Sequence, residues 1–140
     1  MGLAYDPWAH AARLDIPIIN SKLPRGWRGA YRHEDRVIVL VRGMSNRELR
    51  STLAHEVQHA IAGDIRTLFG FINHRQERLA SLRAAVLLVD PDEYSTAEQL
   101  REGHLISIAH DLNVTLKVVT DWLNWRESNA GDFRPRELMP

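Results

Sequence analysis

The chain has 140 residues, 44% of them hydrophobic and 26% charged, the balance of one folded domain rather than a disordered or membrane-embedded chain. Eighteen Lys and Arg offset eighteen Asp and Glu, so the formal net charge is zero, which disfavours a general polyanion or membrane-surface binder. Cysteine is absent, which excludes disulfides, thiolate metal sites and a cysteine nucleophile, and leaves histidine and carboxylate as strong metal ligands.

The first ten residues lack the basic and apolar blocks of a signal peptide, and no apolar run approaches the roughly 20 residues of a membrane span. The expected setting is soluble and cytoplasmic. Pro7 opens a short predicted helix, Trp8 to Leu14. Ile16, Ile18 and Ile19 suit a strand within Asp15 to Asn20, despite Pro17. Pro24, Gly26 and Gly29 interrupt the chain before two further strands, Gly29 to His33 and Arg36 to Val41, joined by the polar turn His33-Glu34-Asp35-Arg36. The unbroken run Val37 to Val41 predicts a strand covered on both faces.

Ser45 and Glu48 form a capping box, and Gly63 marks a stop, so one helix is predicted to about Ala62. A second covers Ile72 to Val89 and ends at Asp90-Pro91. Ser95 with Glu98 reads as another capping box, and Gly103 as an interruption. His104 to Leu112 and Thr115 to Trp125 form two helices joined tightly at Asn113-Val114. Residues 1–126 read as a single domain and 127–140 as a flexible polar tail.

The chemistry concentrates in His55-Glu56-Val57-Gln58-His59. A spacing of four on a helix puts the two imidazoles about 40° apart on one face, where they can share a metal ion. Glu56 lies about 100° from His55, within reach of a water at that metal, while Leu49, Leu53, Val57, Ala60 and Ile61 occupy the opposite arc. Two histidines leave zinc short of a ligand. The downstream candidates are Asp64, His74, Glu77, His104 and His110. Glu77 is preferred because Ala80, Ala84 and Ala85 follow it and let its helix approach the first closely. His74, one turn earlier, is the alternative. The arginines Arg25, Arg28, Arg32 and Arg36 are interleaved with Glu34 and Asp35 and read as a solvated surface. The helical pair near the C-terminus has the spacing of a DNA-reading unit. Its second helix carries mostly apolar side chains with Lys117 and Arg126, so a packing role or a dock for protein substrate is preferred to base readout.

Thr52 to His59 resembles the zinc helix of the ImmA/IrrE-like metallopeptidases. Glu77-Arg78-Leu79-Ala80, followed by Ala84 to Leu88, is similar to their third-ligand helix, and Ile108 to Leu123 to their C-terminal helical pair. The resemblance implies a gluzincin-like α+β fold: a small mixed or antiparallel three-stranded sheet on the two ligand helices, with a C-terminal helical pair. It implies Zn2+ held by His55, His59 and Glu77, with Glu56 as general base. It also implies an endopeptidase acting on a regulatory protein such as a helix-turn-helix repressor, often in a phage or another mobile element. Ser81 departs from the pattern, because an Asp or Asn usually follows the Glu-x-x-Ala and orients a ligand histidine; Asp64 is the candidate substitute. Candidate oxyanion donors are Tyr31, His33, Tyr94, His104 and His110. Gly29 to His33 could pair with an extended substrate. The alternative reading is a non-catalytic regulator on the same scaffold that binds a repressor or DNA.

Overall fold

The computed structural model describes residues 4–128. The tail expected at 127–140 falls beyond that range from residue 129 onward. Nine elements follow in order: α1 (Pro7–Arg13), β1 (Ile18–Asn20), β2 (Gly29–Arg32), β3 (Val37–Leu40), α2 (Asn46–Ala62), α3 (Gly70–Leu88), α4 (Pro91–Leu100), α5 (Leu105–Asp111) and α6 (Leu116–Ser128). The fold is α+β, with a three-stranded mixed sheet in the order β1-β3-β2. β3 pairs parallel with β1 and antiparallel with β2. The central place of β3 explains its continuous apolar run, since all four of its residues are buried. Ile38 and Leu40 meet Ala11 of α1 and Leu53 and Val57 of α2 in one cluster.

Local signals set the ends of α2. The Ser45 side chain accepts from the Glu48 N–H, and Glu48 accepts from the Ser45 N–H. Gly63 closes the helix in the left-handed conformation at φ 67°, which costs glycine little. α3 lies against α2 and buries Ala80, Ala84 and Ala85. The last two share a core cluster with Ala54 of α2, the close approach that small residues allow.

Three expectations shift. β1 begins at Ile18 rather than Asp15, because Asp15 takes a positive φ of 56° and the chain enters the ladder only at the Pro17 carbonyl, which accepts from the Ile38 N–H. α4 starts at Pro91, with the Asp90 side chain accepting from the Glu93 N–H, so Ser95 lies inside the helix and does not cap it. An N-cap Asp followed by Pro at the first helical position is an earlier and equally strong start signal. α6 continues to Ser128 and takes Glu127 and Ser128 into the helix.

Candidate metal centre

His55 and His59 project from the middle of α2 toward Glu77 of α3. His55 Nε2 lies 2.8 Å from Glu77 Oε2, His59 Nε2 lies 3.1 Å from Glu77 Oε1, and the two Nε2 atoms are 3.0 Å apart. One donor atom from each of the three residues falls within 4.8 Å of the others. Glu77 is therefore the carboxylate brought to the pair. His74, one turn earlier on α3, lines a groove that Glu77 also borders, and Asp64 lies at His59 Nδ1 instead.

The far nitrogens of both rings are engaged. His59 Nδ1 is 2.8 Å from Asp64 Oδ2, and His55 Nδ1 is 3.2 Å from Ser81 Oγ. Asp64 thus partners one candidate ligand histidine, and Ser81 partners the other from the position where an Asp or Asn was expected. Ser81 lies four residues after Glu77, on the same face of α3. With Nδ1–H of His59 donated to a carboxylate, a neutral His59 turns a lone pair into the cluster. That lone pair would face a second imidazole nitrogen and a carboxylate oxygen, an arrangement that calls for positive charge at its centre. Zn–N bonds of about 2.0–2.1 Å in a tetrahedral site put ligand atoms about 3.3 Å apart, so the observed 2.8–3.1 Å separations need only a slight opening. The donor set fits a divalent ion.

The electrostatics agree. Burial alone would lower the His59 pKa. The hydrogen bond to Glu77, the charge of Glu56 and the bond to Asp64 outweigh it and push the value up to about 9. Hydrogen bonds from His55 and His59 hold the Glu77 carboxyl well below the ordinary range. Without a metal, the cluster retains a proton in its place.

Glu56 is 7% exposed and lies between α2 and the sheet. Burial raises its pKa, against the pull of His55 and His59 and of the nearby Tyr31 N–H. The register explains how that amide can face Glu56. The Val41 N–H binds the Arg28 carbonyl, so along the alternating ladder the Tyr31 N–H faces away from β3, toward the open edge of β2. β2 runs along α2. A Cβ on Gly29 would stand 2.7 Å from Thr52 Cγ2 and 3.3 Å from Glu56 Cγ, and a Cβ on Gly63 would stand 3.5 Å from His33 Cε1. Gly29 and the Tyr31 amide, which the motif alone does not reveal, therefore set the wall behind Glu56.

The candidate oxyanion donors separate by element. The Tyr31 hydroxyl and His33 Nδ1 are 2.8 Å apart at the end of β2 that overlies α2. Tyr94 is buried in α4 against Trp122, His104 caps α5 through Ser107, and His110 sits in the last turn of α5. None of these three shares an element with the metal cluster.

The family model described as Peptidase_M78, IrrE N-terminal-like domain, matches residues 11–123. The chain belongs to this family. The match takes in the three sheet strands, both helices that carry the candidate ligands and most of α6, so the Peptidase_M78 assignment rests on the whole arrangement around the histidines and not on one motif. No curated protein and no solved structure matches the chain.

Proposed function

We propose that this Peptidase_M78 protein is a zinc-dependent endopeptidase that cleaves a regulatory protein of the helix-turn-helix repressor type in the cytoplasm, within a phage or another mobile element. The observation that carries the reading is the placement of a buried Glu56 on the same helix as two histidines whose Nε2 atoms converge with Glu77. A metal scaffold has no use for that carboxylate; a hydrolase does. His55, His59 and Glu77 would hold the ion. When bound, zinc supplies Lewis-acid activation of water and of the scissile carbonyl. Glu56 accepts the proton of the attacking water and passes it to the leaving amine. Its raised pKa suits a group that must both take and give that proton. Tyr31, in β2, and His33, in the turn that follows it, are the donors best placed to meet the developing oxyanion, because β2 lies over Glu56. Among the described residues no helix is long and apolar enough to cross a membrane.

Metal content and cleavage test the reading together. Elemental analysis should find about one zinc per chain, retained in His74→Ala and lost in Glu77→Ala. Glu56→Gln should keep the zinc and lose about 100- to 10,000-fold in cleavage of a candidate repressor. A parent protein that takes up no metal when zinc is supplied would refute the proposal. A Glu56→Gln variant with its biological effect intact would favour the non-catalytic regulator.

A further inference from the structure

Beside Glu77 the surface opens into a groove of about 490 Å³ between α3 and α6. Glu77 and Ser81 form its inner end, and both are bonded to His55, so the groove starts at the metal cluster. Leu82 and the buried Trp125 give it an apolar wall. Its charges are nearly cancelled from within. Lys117 Nζ and Asp121 Oδ2 neutralise each other at 2.6 Å, and the Glu77 carboxylate is turned onto the two histidines. Arg78 is then the full charge left facing the groove, and it makes no ion pair among the described residues.

We infer that this groove is the subsite for the residues flanking the scissile bond, and that it selects a large apolar side chain next to an acidic one. The inference rests on the peptidase reading. A pocket of this size is within the range that buries a whole small ligand, so it accepts more than one side chain. The wall of Leu82 and Trp125 favours apolar area removed from water. A basic residue would gain little there, since both carboxylates that line the groove, Glu77 and Asp121, are already paired. Arg78 at the opening favours a neighbouring carboxylate and opposes a cation.

Binding and cleavage are measured separately. Fluorophore-labelled hexapeptides with central Leu-Glu, Leu-Lys or Ala-Ala are titrated by anisotropy against zinc-loaded Glu56→Gln protein. Leu-Glu should bind most tightly. Arg78→Glu, at an exposed position, should weaken Leu-Glu about tenfold and reverse the order of Leu-Glu and Leu-Lys. Asn124→Trp, also exposed, should fill the groove and weaken both Leu peptides about fivefold. Equal binding of the three peptides, no binding at all, or a preference that survives both substitutions would overturn the inference. The parent protein is then given unfolded casein and its cuts are mapped by mass spectrometry. Cuts without an apolar-acidic preference would leave the peptidase reading standing and remove the subsite. The expected peptide preference without any cut would leave the subsite as a binding groove and remove the peptidase reading.

Discussion

An alanine at position 29 tests how the sheet is seated on α2, the helix that carries His55 and His59. Its Cβ would fall 2.7 Å from Thr52 Cγ2, 3.1 Å from Leu40 Cδ2 and 3.3 Å from Glu56 Cγ. Carbon atoms rest at about 3.5–4.0 Å, so β2 must rise by roughly 0.8 Å at this point. Thr52 cannot turn its methyl aside cheaply, because a β-branched side chain in a helix is stiff at χ1. Overpacking of this kind costs about 1–3 kcal/mol, and the lower entropy of the unfolded alanine chain offsets about 0.4–1 kcal/mol of it. For a domain of this length the net loss, up to about 2.6 kcal/mol, lowers Tm by up to about 8 °C. Activity should fall further, by about 100-fold, because the lifted strand forms the wall against which Glu56 is placed. Thermal unfolding by circular dichroism, zinc content and cleavage rate are read on Gly29→Ala and on Gly29→Ala/Thr52→Ser. The second change deletes Cγ2, the tightest contact, and should recover more than half of the Tm loss. A Gly29→Ala protein with parental Tm and parental rate would refute the close seating of β2 on α2.

The partners of the two candidate ligand histidines should differ in weight. Asp64→Ala should weaken metal binding by about 10- to 100-fold in chelator competition, and Ser81→Ala by less than tenfold, since the Asp64 contact is shorter and ionic; equal losses would contradict that ranking. With the His59 pKa pushed up to about 9, the metal-free protein is protonated there at neutral pH. Zinc uptake at pH 7 should therefore release about one proton, and affinity should rise about tenfold per pH unit up to about 9, as read by indicator dye; uptake without proton release would contradict the raised value. The same shift stabilises the metal-free fold fully below 6.5 and loses that contribution as pH rises through about 9, which denaturant titrations across that window would detect. Arg50 donates to the carbonyls of Leu112, Asn113 and Tyr5 at 3.3, 3.1 and 3.3 Å. Arg50→Ala should destabilise by about 2–3 kcal/mol in urea, and a loss below about 0.5 kcal/mol would show that water replaces the guanidinium.

What the sequence makes legible is what a few neighbouring residues decide. The capping box at Ser45 and the stop at Gly63 act within one turn, and both stand where they were expected. The uninterrupted apolar run 37–41 announces a central strand because only a strand covered on both faces can carry it. Spacing places His55, Glu56 and His59 on one helix, and it places Glu77 one turn from Ser81. Which side chain on α3 meets His55 depends on how two helices cross; Ala80, Ala84 and Ala85 point to Glu77, while spacing alone leaves His74 open. The same limit hides Gly29, whose importance comes from a helix 23 residues further along the chain. The capping box expected at Ser95 illustrates the opposite error, in which two valid start signals compete and the earlier one, Asp90-Pro91, begins the helix.

The helical pair α5–α6 can be weighed in the same terms. A DNA-reading pair keeps its second helix free to enter a groove. Here the turn between the helices is fastened to α2: Arg47 and Arg50 donate to the carbonyls of Val114, Leu112 and Asn113, and Ser51 Oγ accepts the Thr115 N–H. α6 turns Val118, Val119, Trp122 and Trp125 into the core and packs along α3. Arg126, the cation at its end, lies over the rings of Trp122 and Tyr94 at 4.9 and 5.4 Å, so its charge is engaged within the fold. α3 carries Glu77, the most exposed of the three candidate ligands, at 58% for its side chain. A ligand that open to water is held by the position of its helix more than by its own burial. The pair therefore acts as the brace that keeps α3 against α2, and withdrawing α6 to read a base sequence would release the helix that completes the metal cluster.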